Sequence, residues 1–414
     1  MPRIRNNEDF CNHTKSRLLK ILNENIRPFW YPKTLDYEDG GYYLNHDING
    51  KPIGGGTKMI VTQARMVWYF SHLFNSGYGG MEELEAAKHG YRFLRDYMWD
   101  RENGGFFWEV DSKGRVLRPD KIIYGQAFGL YALSEFFIAS KDKEVLDMSS
   151  RLFNLIEEHS HDKSYGGYKE HFFRDWSPIS LTEKKRFYFS PNLKSMNTHL
   201  HMLEALTTFY KATGEALAKD RLYELILVLS NSVFRKKVGA CAETHLQNWK
   251  PLHRPQYDRI SYGHNLENIW LLAKACDTLG IPDGLLLDFY ETVFSYSVKY
   301  GFDNKKGGFY ESGPAGKPAD KRDKVWWIQA EALVCEAYMY YLTGNTSYLK
   351  YLEKTLDWIE KYQVDWKNGD WYSVVKPNGK PFGNKAGIWK AAYHNGRAMI
   401  EILNLLEEIK KKHK

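Results

Sequence analysis

The sequence predicts an all-α fold, an (α/α)6 barrel formed by a single domain of residues 1–414 with short β-hairpins in its connecting loops. Two observations indicate this fold: a Gly-Gly-aromatic signature recurs along the chain, and a helical pattern lies on each side of every copy. Successive copies are 61 to 73 residues apart and divide the chain into six units. The signature occurs at Gly40-Gly41-Tyr42, Gly104-Gly105-Phe106, Gly166-Gly167-Tyr168 and Gly307-Gly308-Phe309, with degenerate copies at Gly239-Ala240-Cys241 and Asn368-Gly369-Asp370-Trp371.

Each signature is preceded by one predicted helix and followed by another. Twelve helices in six pairs of about 65 residues predict a closed ring. The alternative is an open solenoid of helix pairs, but common solenoid repeats have about 33 to 47 residues and no hairpin between the helices. The run Phe106-Phe107-Trp108-Glu109-Val110 is typical of such a hairpin. The predicted helices precede the signatures at 18–26, 82–98, 143–158, 214–235, 283–300 and 345–362, and follow them at 58–74, 124–137, 197–210, 264–276, 326–341 and 389–406.

The composition favours a carbohydrate-binding protein and argues against several other classes. Aromatic residues make up 15% of the chain, and their flat, half-polar rings suit stacking against sugars. The net charge of +7 is modest and the basic residues are dispersed, so no nucleic-acid partner is expected. No apolar run approaches the ~20 residues that span a bilayer, so no membrane partner is expected either. The four cysteines share no short spacing, which favours a reduced, cytoplasmic protein over a zinc site or a disulfide framework.

Polar residues recur near the start of the second helix of each unit, although a buried inner helix should be apolar nearly all round. The steps between them are 61, 75, 63, 67 and 63 residues, which follow the repeat. Corresponding positions on six inner helices would face one end of the barrel, so we expect these side chains to form one site. They are Arg65, Gln126, His201, His264, Glu331 and His394.

The histidines of this set indicate proton transfer. Two of them occur in His-x-x-Glu patterns, His201 with Glu204 and His264 with Glu267, which put a carboxylate on the helical face of the imidazole. Structural pairing and metal ligation are the alternatives, but no spacing here is diagnostic of a metal. Because histidine titrates near neutral pH, two histidines could take a proton from one face of a carbon and return one to the other, while an arginine stabilises the enediolate between the two steps. No Gly-x-Gly-x-x-Gly loop occurs, so neither a nicotinamide cofactor nor a metal is expected.

Six segments, in order along the chain, carry a family resemblance. They are Gln63-Ala64-Arg65-Met66-Val67-Trp68, Tyr124-Gly125-Gln126-Ala127-Phe128, Asn197-Thr198-His199-Leu200-His201-Met202-Leu203-Glu204-Ala205, Gly263-His264-Asn265-Leu266-Glu267, Trp326-Trp327-Ile328-Gln329-Ala330-Glu331 and Trp389-Lys390-Ala391-Ala392-Tyr393-His394-Asn395-Gly396-Arg397. The chain resembles the N-acylglucosamine 2-epimerase superfamily, and within it the cellobiose 2-epimerases, over nearly its whole length. The resemblance implies an (α/α)6 barrel, no cofactor, and reversible conversion between glucose and mannose configurations at the reducing end of a sugar.

The resemblance also implies roles for the matching residues. His264 and His394 would be the acid/base pair that exchanges the proton at C2 through a cis-enediolate, which rotates about C2–C3 between the two steps. His201 would assist ring opening. The implied substrate-binding residues are Arg65 and Asn197 on sugar oxygens, Glu267 in support of His264, Glu331 as a hydrogen-bond partner of the sugar, Trp327 and Trp389 stacked on sugar rings, and Tyr124 completing the pocket.

Two departures from the family pattern bear on the substrate. The cellobiose-acting enzymes usually follow the histidine with Asp-Ile-Glu, whereas this chain has Asn265-Leu266-Glu267. Their last motif typically reads Trp-Lys-Cys-Pro-Tyr-His, whereas this chain has Ala391-Ala392 before the tyrosine. The acid/base residue types are kept, so the reaction class stands. Free mannose and glucose are alternatives to a β-1,4-linked disaccharide, and an N-acylglucosamine is a further, less similar one.

Three other functions are open on the sequence alone. An aldose–ketose isomerase, as in the mannose isomerases of the same superfamily, would return the proton to C1 instead of C2. A glycoside hydrolase on this barrel would use two carboxylates as acid and base, with Glu204, Glu267 and Glu331 as candidates. A sugar-binding module without catalysis is the third. Neither of the last two gives the three inward histidines a purpose.

Overall fold

The helices of the protein form two concentric rings in a computed structural model, which describes residues 7–179, 192–252 and 254–412. The α-helices of these residues are α1 (Asn7–Ile21), α2 (Arg27–Trp30), α3 (Ile60–Asn75), α4 (Met81–Phe93), α5 (Ile123–Ser140), α6 (Lys143–His159), α7 (Met196–Thr213), α8 (Ala216–Leu227), α9 (Tyr262–Leu279), α10 (Leu287–Gly301), α11 (Trp326–Thr343), α12 (Ser347–Trp358) and α13 (Tyr393–Lys412). A π-helical turn, Leu22–Ile26, joins α1 to α2, and further π-helical turns follow α4, α8 and α12 at Leu94–Met98, Val228–Ser232 and Ile359–Gln363.

The odd-numbered helices from α3 to α13 form the inner ring, and the other helices form the outer ring. Each inner helix contacts the next and α13 contacts α3, so the ring closes and the predicted (α/α)6 barrel is confirmed. Each even-numbered helix from α4 to α12 packs on the inner helix that precedes it, and α1 packs on α13. Lys15 of α1 pairs with Glu407 of α13 at 2.7 Å. The sixth helix pair is therefore formed by the two ends of the described chain.

Burial follows the hydrophobic patterns of the helices. In the outer helix α6 the buried side chains recur at helical spacing and include Val145, Leu152 and Ile156, whereas inner helices such as α5 are buried on nearly every side. None of the helices in the described ranges is long and apolar enough to cross a membrane. The predicted boundaries differ most at the first helix, since α1 begins at Asn7 and not at residue 18. Among the inner helices the difference is largest at the last, where Trp389 lies in a loop before α13, and Lys58 forms a strand before α3 because it pairs with β2.

Short strands link neighbouring units at one end of the barrel. The strands of the described residues are β1 (Lys58–Met59), β2 (Glu109–Val110), β3 (Val116–Arg118), β4 (Lys121–Ile122), β5 (His171–Phe172), β6 (Leu193–Ser195), β7 (Phe234–Arg235), β8 (Ala240–Cys241), β9 (Thr244–Leu246), β10 (Arg259–Ser261), β11 (Ser312–Pro314), β12 (Lys324–Val325), β13 (Val374–Val375) and β14 (Pro381–Phe382). Local hairpins join β2 to β3, β7 to β8 and β13 to β14. In addition, the strand directly before an inner helix pairs with a strand after the next signature, as β1 does with β2 and β4 with β5.

Each Gly-Gly-aromatic signature is a loop clamped onto the first turn of the inner helix that follows it. Gly105 has a φ of 69°, and a Cβ on it would lie 2.6 Å from the Trp176 ring, so the loop requires glycine there. The side-chain amide of Gln126 accepts a hydrogen bond from Phe106 N–H and donates one to Phe106 O, both at 2.8 Å. The prediction that Gln126 faces the barrel interior is therefore wrong, since its amide is used by this loop. The same two bonds join Gln63 to Tyr42 and Gln329 to Phe309.

In most of these loops a buried lysine also binds an aspartate side chain and a main-chain carbonyl of the loop. Lys121 Nζ donates to Asp100 Oδ2 at 3.1 Å and to Gly105 O at 3.4 Å, and both charged side chains are fully buried. In the unit of the degenerate Gly239 copy, Ile260 occupies the place of the lysine. The equivalent ion pairs in the other units are Lys58–Asp36, Lys194–Asp162, Lys324–Asp303 and Lys385–Asp365.

Candidate active site

A cavity of about 300 Å³ lies at the N-terminal ends of the inner helices. The structure brings nine of the ten predicted site residues together in its wall, and Glu331 is the exception. The nine are Arg65, Tyr124, Asn197, His201, His264, Glu267, Trp327, Trp389 and His394. Six further residues line the cavity: Trp108, Ile122, Glu170, His171, Thr198 and Trp326.

The clamping residue of each inner helix sets which side chains reach the cavity. The clamps are Gln63, Gln126, His199, Asn265, Gln329 and Asn395. Positions one and two before the clamp and two after it share one helical face, because residues three or four apart are neighbours on a helix. The residues two positions after the clamp are Arg65, Phe128, His201, Glu267, Glu331 and Arg397. His264 and His394 lie one position before their clamps, and Tyr124, Asn197 and Trp327 lie two positions before theirs.

His264 and His394 are each held through Nδ1 by a carboxylate. His264 Nδ1 lies 2.8 Å from Glu243 Oε2, and His394 Nδ1 lies 2.6 Å from Glu331 Oε1. With Nδ1 engaged, Nε2 is the nitrogen left to each imidazole for a ligand in the cavity. The Trp327 ring lies 4.8 Å from the His264 ring and 5.8 Å from the His394 ring, centroid to centroid, so the two imidazoles flank one indole.

The two histidine–carboxylate pairs both favour a bound proton. Burial lowers the pKa of His264, but the neighbouring carboxylates, with Glu243 first among them, outweigh burial and leave that pKa raised above its usual value. Burial raises the pKa of Glu331 to about 8 and, together with Arg65 and Arg397, lowers that of His394. Because Glu331 and His394 are in direct contact, they bind this proton as a unit. Two groups that can each bind and release a proton are what reversible proton transfer requires.

His201 lies on α7 in the cavity wall and is nearly fully buried. Its Nδ1 lies 3.1 Å from Glu204 Oε2, as the His-x-x-Glu spacing predicts, and its ring meets the edge of the Tyr124 ring at 5.2 Å. Burial lowers the pKa of His201, so the imidazole is neutral at pH 7. A neutral imidazole in contact with a carboxylate can exchange a proton with a sugar oxygen.

Arg397 lies beneath the cavity, fully buried, among three glutamates. Its guanidinium donates to Glu267 Oε1 at 2.8 Å and to Glu331 Oε1 at 2.7 Å, and it also donates to Glu204. Burial raises the pKa of Glu204, but Arg397, His201 and Tyr393 together outweigh burial and lower that pKa to about 2. One arginine thus fixes the carboxylates that stand behind His201 and His394. Arg397 stands at the end of the last family segment, and its ion pairs with glutamates of other helices cannot be predicted from that segment alone.

Two predicted site residues have contacts other than the expected ones, and their predicted roles stay predictions. Glu267 was expected to support His264, but its Oε1 accepts from Arg397, and the carboxylate at His264 Nδ1 is Glu243. Glu331 was expected to hydrogen-bond the sugar, but it lies outside the cavity wall and accepts from Arg397 while holding His394. In both cases helical spacing locates the side chain correctly and does not identify its partner, which comes from another element.

Arg65 and the tryptophans give the cavity polar atoms suited to hydroxyl groups. Arg65 donates to Trp389 O at 2.9 Å and to Tyr124 Oη at 3.1 Å, and its guanidinium stacks on the Phe128 ring at 4.3 Å. Hydroxyl groups both donate and accept, so a sugar can satisfy donors and acceptors together. Four buried polar atoms of cavity residues have no protein hydrogen-bond partner among the described residues: Arg65 Nε, Trp108 Nε1, Asn197 Oδ1 and Trp326 Nε1.

Trp389 stands at the mouth of the cavity. It is 36% exposed, whereas Trp108, deeper in the same wall, is 2% exposed, and their ring centroids are 6.3 Å apart. Two indoles at different depths offer two flat apolar surfaces, one inside the cavity and one at its rim. This arrangement suits a ligand with one ring inside and a second ring outside.

A metal site at this position would have to compete with Arg397. One ligand atom each from Glu267, Glu331 and His394 lies within 4.8 Å of the others, but both carboxylates already accept from the guanidinium. A fixed positive charge within the group disfavours a second cation. We therefore expect that dialysis against EDTA leaves the turnover rate unchanged and that added Mn²⁺ or Mg²⁺ does not raise it. A rate that falls with chelation and returns with metal would contradict this.

The comparisons with known proteins agree with the geometry. The chain matches the profile of N-acylglucosamine 2-epimerase (GlcNAc 2-epimerase) over residues 41–398. It is 32% identical to a cellobiose 2-epimerase of Bacteroides fragilis over 401 residues, which cover 94% of this chain and 98% of the relative. It is 25% identical to a D-mannose isomerase of Marinomonas mediterranea, with 92% and 95% covered.

A solved structure extends this likeness to the fold. The cellobiose 2-epimerase from Spirochaeta thermophila superposes with a TM-score of 0.88 at 30% identity, covering 99% of this chain and 100% of that one. The profile match spans most of the chain, and the nine predicted site residues that line the cavity all lie within the matched residues. The chain therefore belongs to the N-acylglucosamine 2-epimerase family.

Proposed function

We propose that this protein is a sugar 2-epimerase without a cofactor, which interconverts the glucose and mannose configurations at C2 of a reducing aldose, with the reducing end of a β-1,4-linked disaccharide as its preferred substrate. The observation that carries the proposal is the pair His264 and His394. Each is backed by a carboxylate at Nδ1 and both face one cavity, with the pKa of His264 raised and that of Glu331, beside His394, raised to about 8.

The proposed reaction begins with ring opening. His201, neutral and in contact with Glu204, exchanges a proton with the ring oxygen or the anomeric hydroxyl. The open-chain aldehyde then exposes an acidic C2–H. Arg65, whose guanidinium reaches Tyr124 and the loop of Trp389, is placed to hold the oxygen on which negative charge develops.

The proton transfer at C2 uses the two histidines in turn. One imidazole takes the proton from C2, and the electron pair of the C–H bond moves into a C1–C2 double bond while O1 gains the charge. After rotation about C2–C3, the other imidazole gives its proton to the opposite face of C2, and the aldehyde re-forms. Proton number and charge balance over the cycle, and the reverse reaction exchanges the roles of His264 and His394.

The disaccharide preference is supported by Trp389 at the cavity mouth. The cavity of about 300 Å³ holds a single ring beside the histidines, and a half-exposed indole at the rim gives a second ring a surface to stack on. The four described cysteines are free thiols, which fits the proposed reduced, cytoplasmic setting.

A glycoside hydrolase is less well supported. Glu204 and Glu331 do not line the cavity and are engaged with Arg397, so they do not flank a substrate as an acid/base pair. An aldose–ketose isomerase has the same enediolate and the mannose isomerase relative in its favour. The two reactions differ only in whether the proton returns to C2 or C1.

The test is NMR of the metal-stripped protein in heavy water, with cellobiose and with mannose in separate samples. We expect deuterium at C2 and formation of the 2-epimer, with cellobiose turned over faster. Faster turnover of mannose would overturn the disaccharide preference. A ketose with deuterium at C1 would assign isomerisation instead, release of glucose from cellobiose would assign hydrolysis, and no exchange with either sugar would refute the proposal.

A further inference from the structure

Glu243 and the histidine that it contacts, His264, lie in different elements of the fold. It lies between β8 and β9, in the loop of the degenerate Gly239 signature, and its main-chain carbonyl accepts from Met196 N–H at 2.9 Å at the start of α7. Its side chain reaches across to His264, two residues into α9, where Oε2 meets Nδ1 at 2.8 Å. The carboxylate is thus held by the backbone of one unit and acts on the helix of the next.

The environments of the two histidine carboxylates differ. Glu331 is 1% exposed, and its oxygens also accept from Arg397 and from Trp270 Nε1 at 2.9 Å, so its charge is shared with other donors. Glu243 is 28% exposed and His264 is the partner of its carboxylate. Among the residues that the structure describes, no other cation is in contact with the Glu243 carboxylate, so its negative charge acts on His264.

Other charged groups also face His264. Glu267 on the same helix and Glu331 on α11 add negative charge, and His394 on α13 adds positive charge when it is protonated. Glu243 has the largest favourable effect on the imidazolium among these, and it is the one in direct contact. Removing its charge should therefore alter His264 more than any other single change in the surroundings.

We propose that Glu243 is a positioning residue for the C2 proton transfer: it fixes His264 through Nδ1, with Nε2 turned to the sugar, and it sets the proton affinity of that imidazole. This inference rests on the proposed epimerase function.

The first experiment compares Glu243→Gln with the wild type in the pH dependence of kcat/KM for C2 epimerisation. The pKa of His264 is held up by the carboxylate, so the limb of the profile that His264 sets should move to lower pH by about 1 unit, a roughly tenfold change in rate on that limb. The other limb should stay. Glu311→Gln is the matched control, since Glu311 occupies the same position in the next signature loop and pairs with Lys321 at 3.5 Å on the surface.

The second experiment reads His264 directly and does not need turnover. The histidine Cε1–H signals are titrated by NMR, and the His264 peak is assigned by its loss in His264→Asn. The pKa of His264 should be lower in Glu243→Gln than in the wild type, and close to the wild-type value in Glu243→Asp. An unchanged pKa, or an equal change in Glu311→Gln, would overturn the proposal. If the wild type fails to epimerise any aldose while the His264 pKa still falls, the carboxylate's effect stands and the proposed reaction is wrong.

Discussion

Replacement of either His264 or His394 by asparagine is expected to abolish 2-epimerisation, with kcat lower by a factor of about 10²–10⁴. Asparagine keeps a polar side chain of similar reach but cannot give or take a proton near pH 7. Because each face of C2 is served by one imidazole, the loss of either interrupts the cycle in both directions. The measurement is the initial rate of 2-epimer formation from cellobiose. Full activity in both single variants would refute the two-histidine mechanism.

Partial exchange distinguishes this mechanism from a one-base mechanism. A variant with one imidazole left should still exchange the C2 proton for solvent deuterium in the epimer whose C2–H faces that imidazole. It should not form the other epimer. The two variants should show this exchange with opposite epimers. His161→Asn is the matched control, since His161 pairs with Glu224 at 3.1 Å outside the cavity and its loss should leave the rate unchanged.

Replacement of Arg397 by methionine is expected to lower the free energy of unfolding by about 3–5 kcal/mol, since a buried ion network that loses its one cation leaves uncompensated carboxylates. For 414 residues this corresponds to a fall in Tm of about 3–6 °C. The variant should also be inactive, because the carboxylates behind His201 and His394 lose their common anchor. Differential scanning calorimetry and the epimerisation rate measure the two effects.

The pH dependence of the Arg397 effect has a definite sign. In the wild type the pKa of Glu204 is lowered to about 2, so the stability gained from this pairing is full above the normal glutamate pKa and fades as pH falls towards 2. The difference in Tm between Arg397→Met and wild type should therefore be larger at pH 6 than at pH 3. Arg65→Met serves as control, because Arg65 bonds to Trp389 O and Tyr124 Oη and should affect activity more than Tm. Equal losses of Tm in both variants would contradict the special role of the network.

The fold could be predicted from the sequence because each unit carries its own local signal. The glycines of the signature, as at Gly105, are required by a loop of fixed geometry, and the helices on both sides show a periodic apolar pattern that their burial explains. Ring closure followed from the number of units. The strand pairs between units, such as β1 with β2, could not be predicted, since two-residue strands have no pattern of their own and depend on the position of the next unit.

The site was predicted less completely than the fold. Counting by the repeat brought His201, His264 and His394 to one cavity, but it aligned Gln126 with Arg65, although the counterpart of Arg65 is Phe128. The clamp pattern corrects this, because Arg65, Phe128 and His201 each stand two positions after the clamp of their own helix.

The positions of Glu243 and Arg397 could have been found by counting residues from the repeated signature and from the clamp. Glu243 stands two residues after Cys241, as Glu170 stands two after Tyr168, and both carboxylates reach the start of an inner helix. Arg397 stands two residues after the clamp Asn395. Their partners lie on other elements, so local spacing could locate these side chains but not assign their roles.

The closure of the barrel by α1 against α13 has a consequence for biosynthesis. His394 and Arg397 both lie on α13, the last helix of the described chain to leave the ribosome, while the surface that α13 packs against is built from α1, α3 and α11. Without α13, Glu204, Glu267 and Glu331 lack the guanidinium of Arg397, their shared cation in the folded protein. Catalytic competence and the neutralisation of these carboxylates are therefore gained together when α13 packs into the ring.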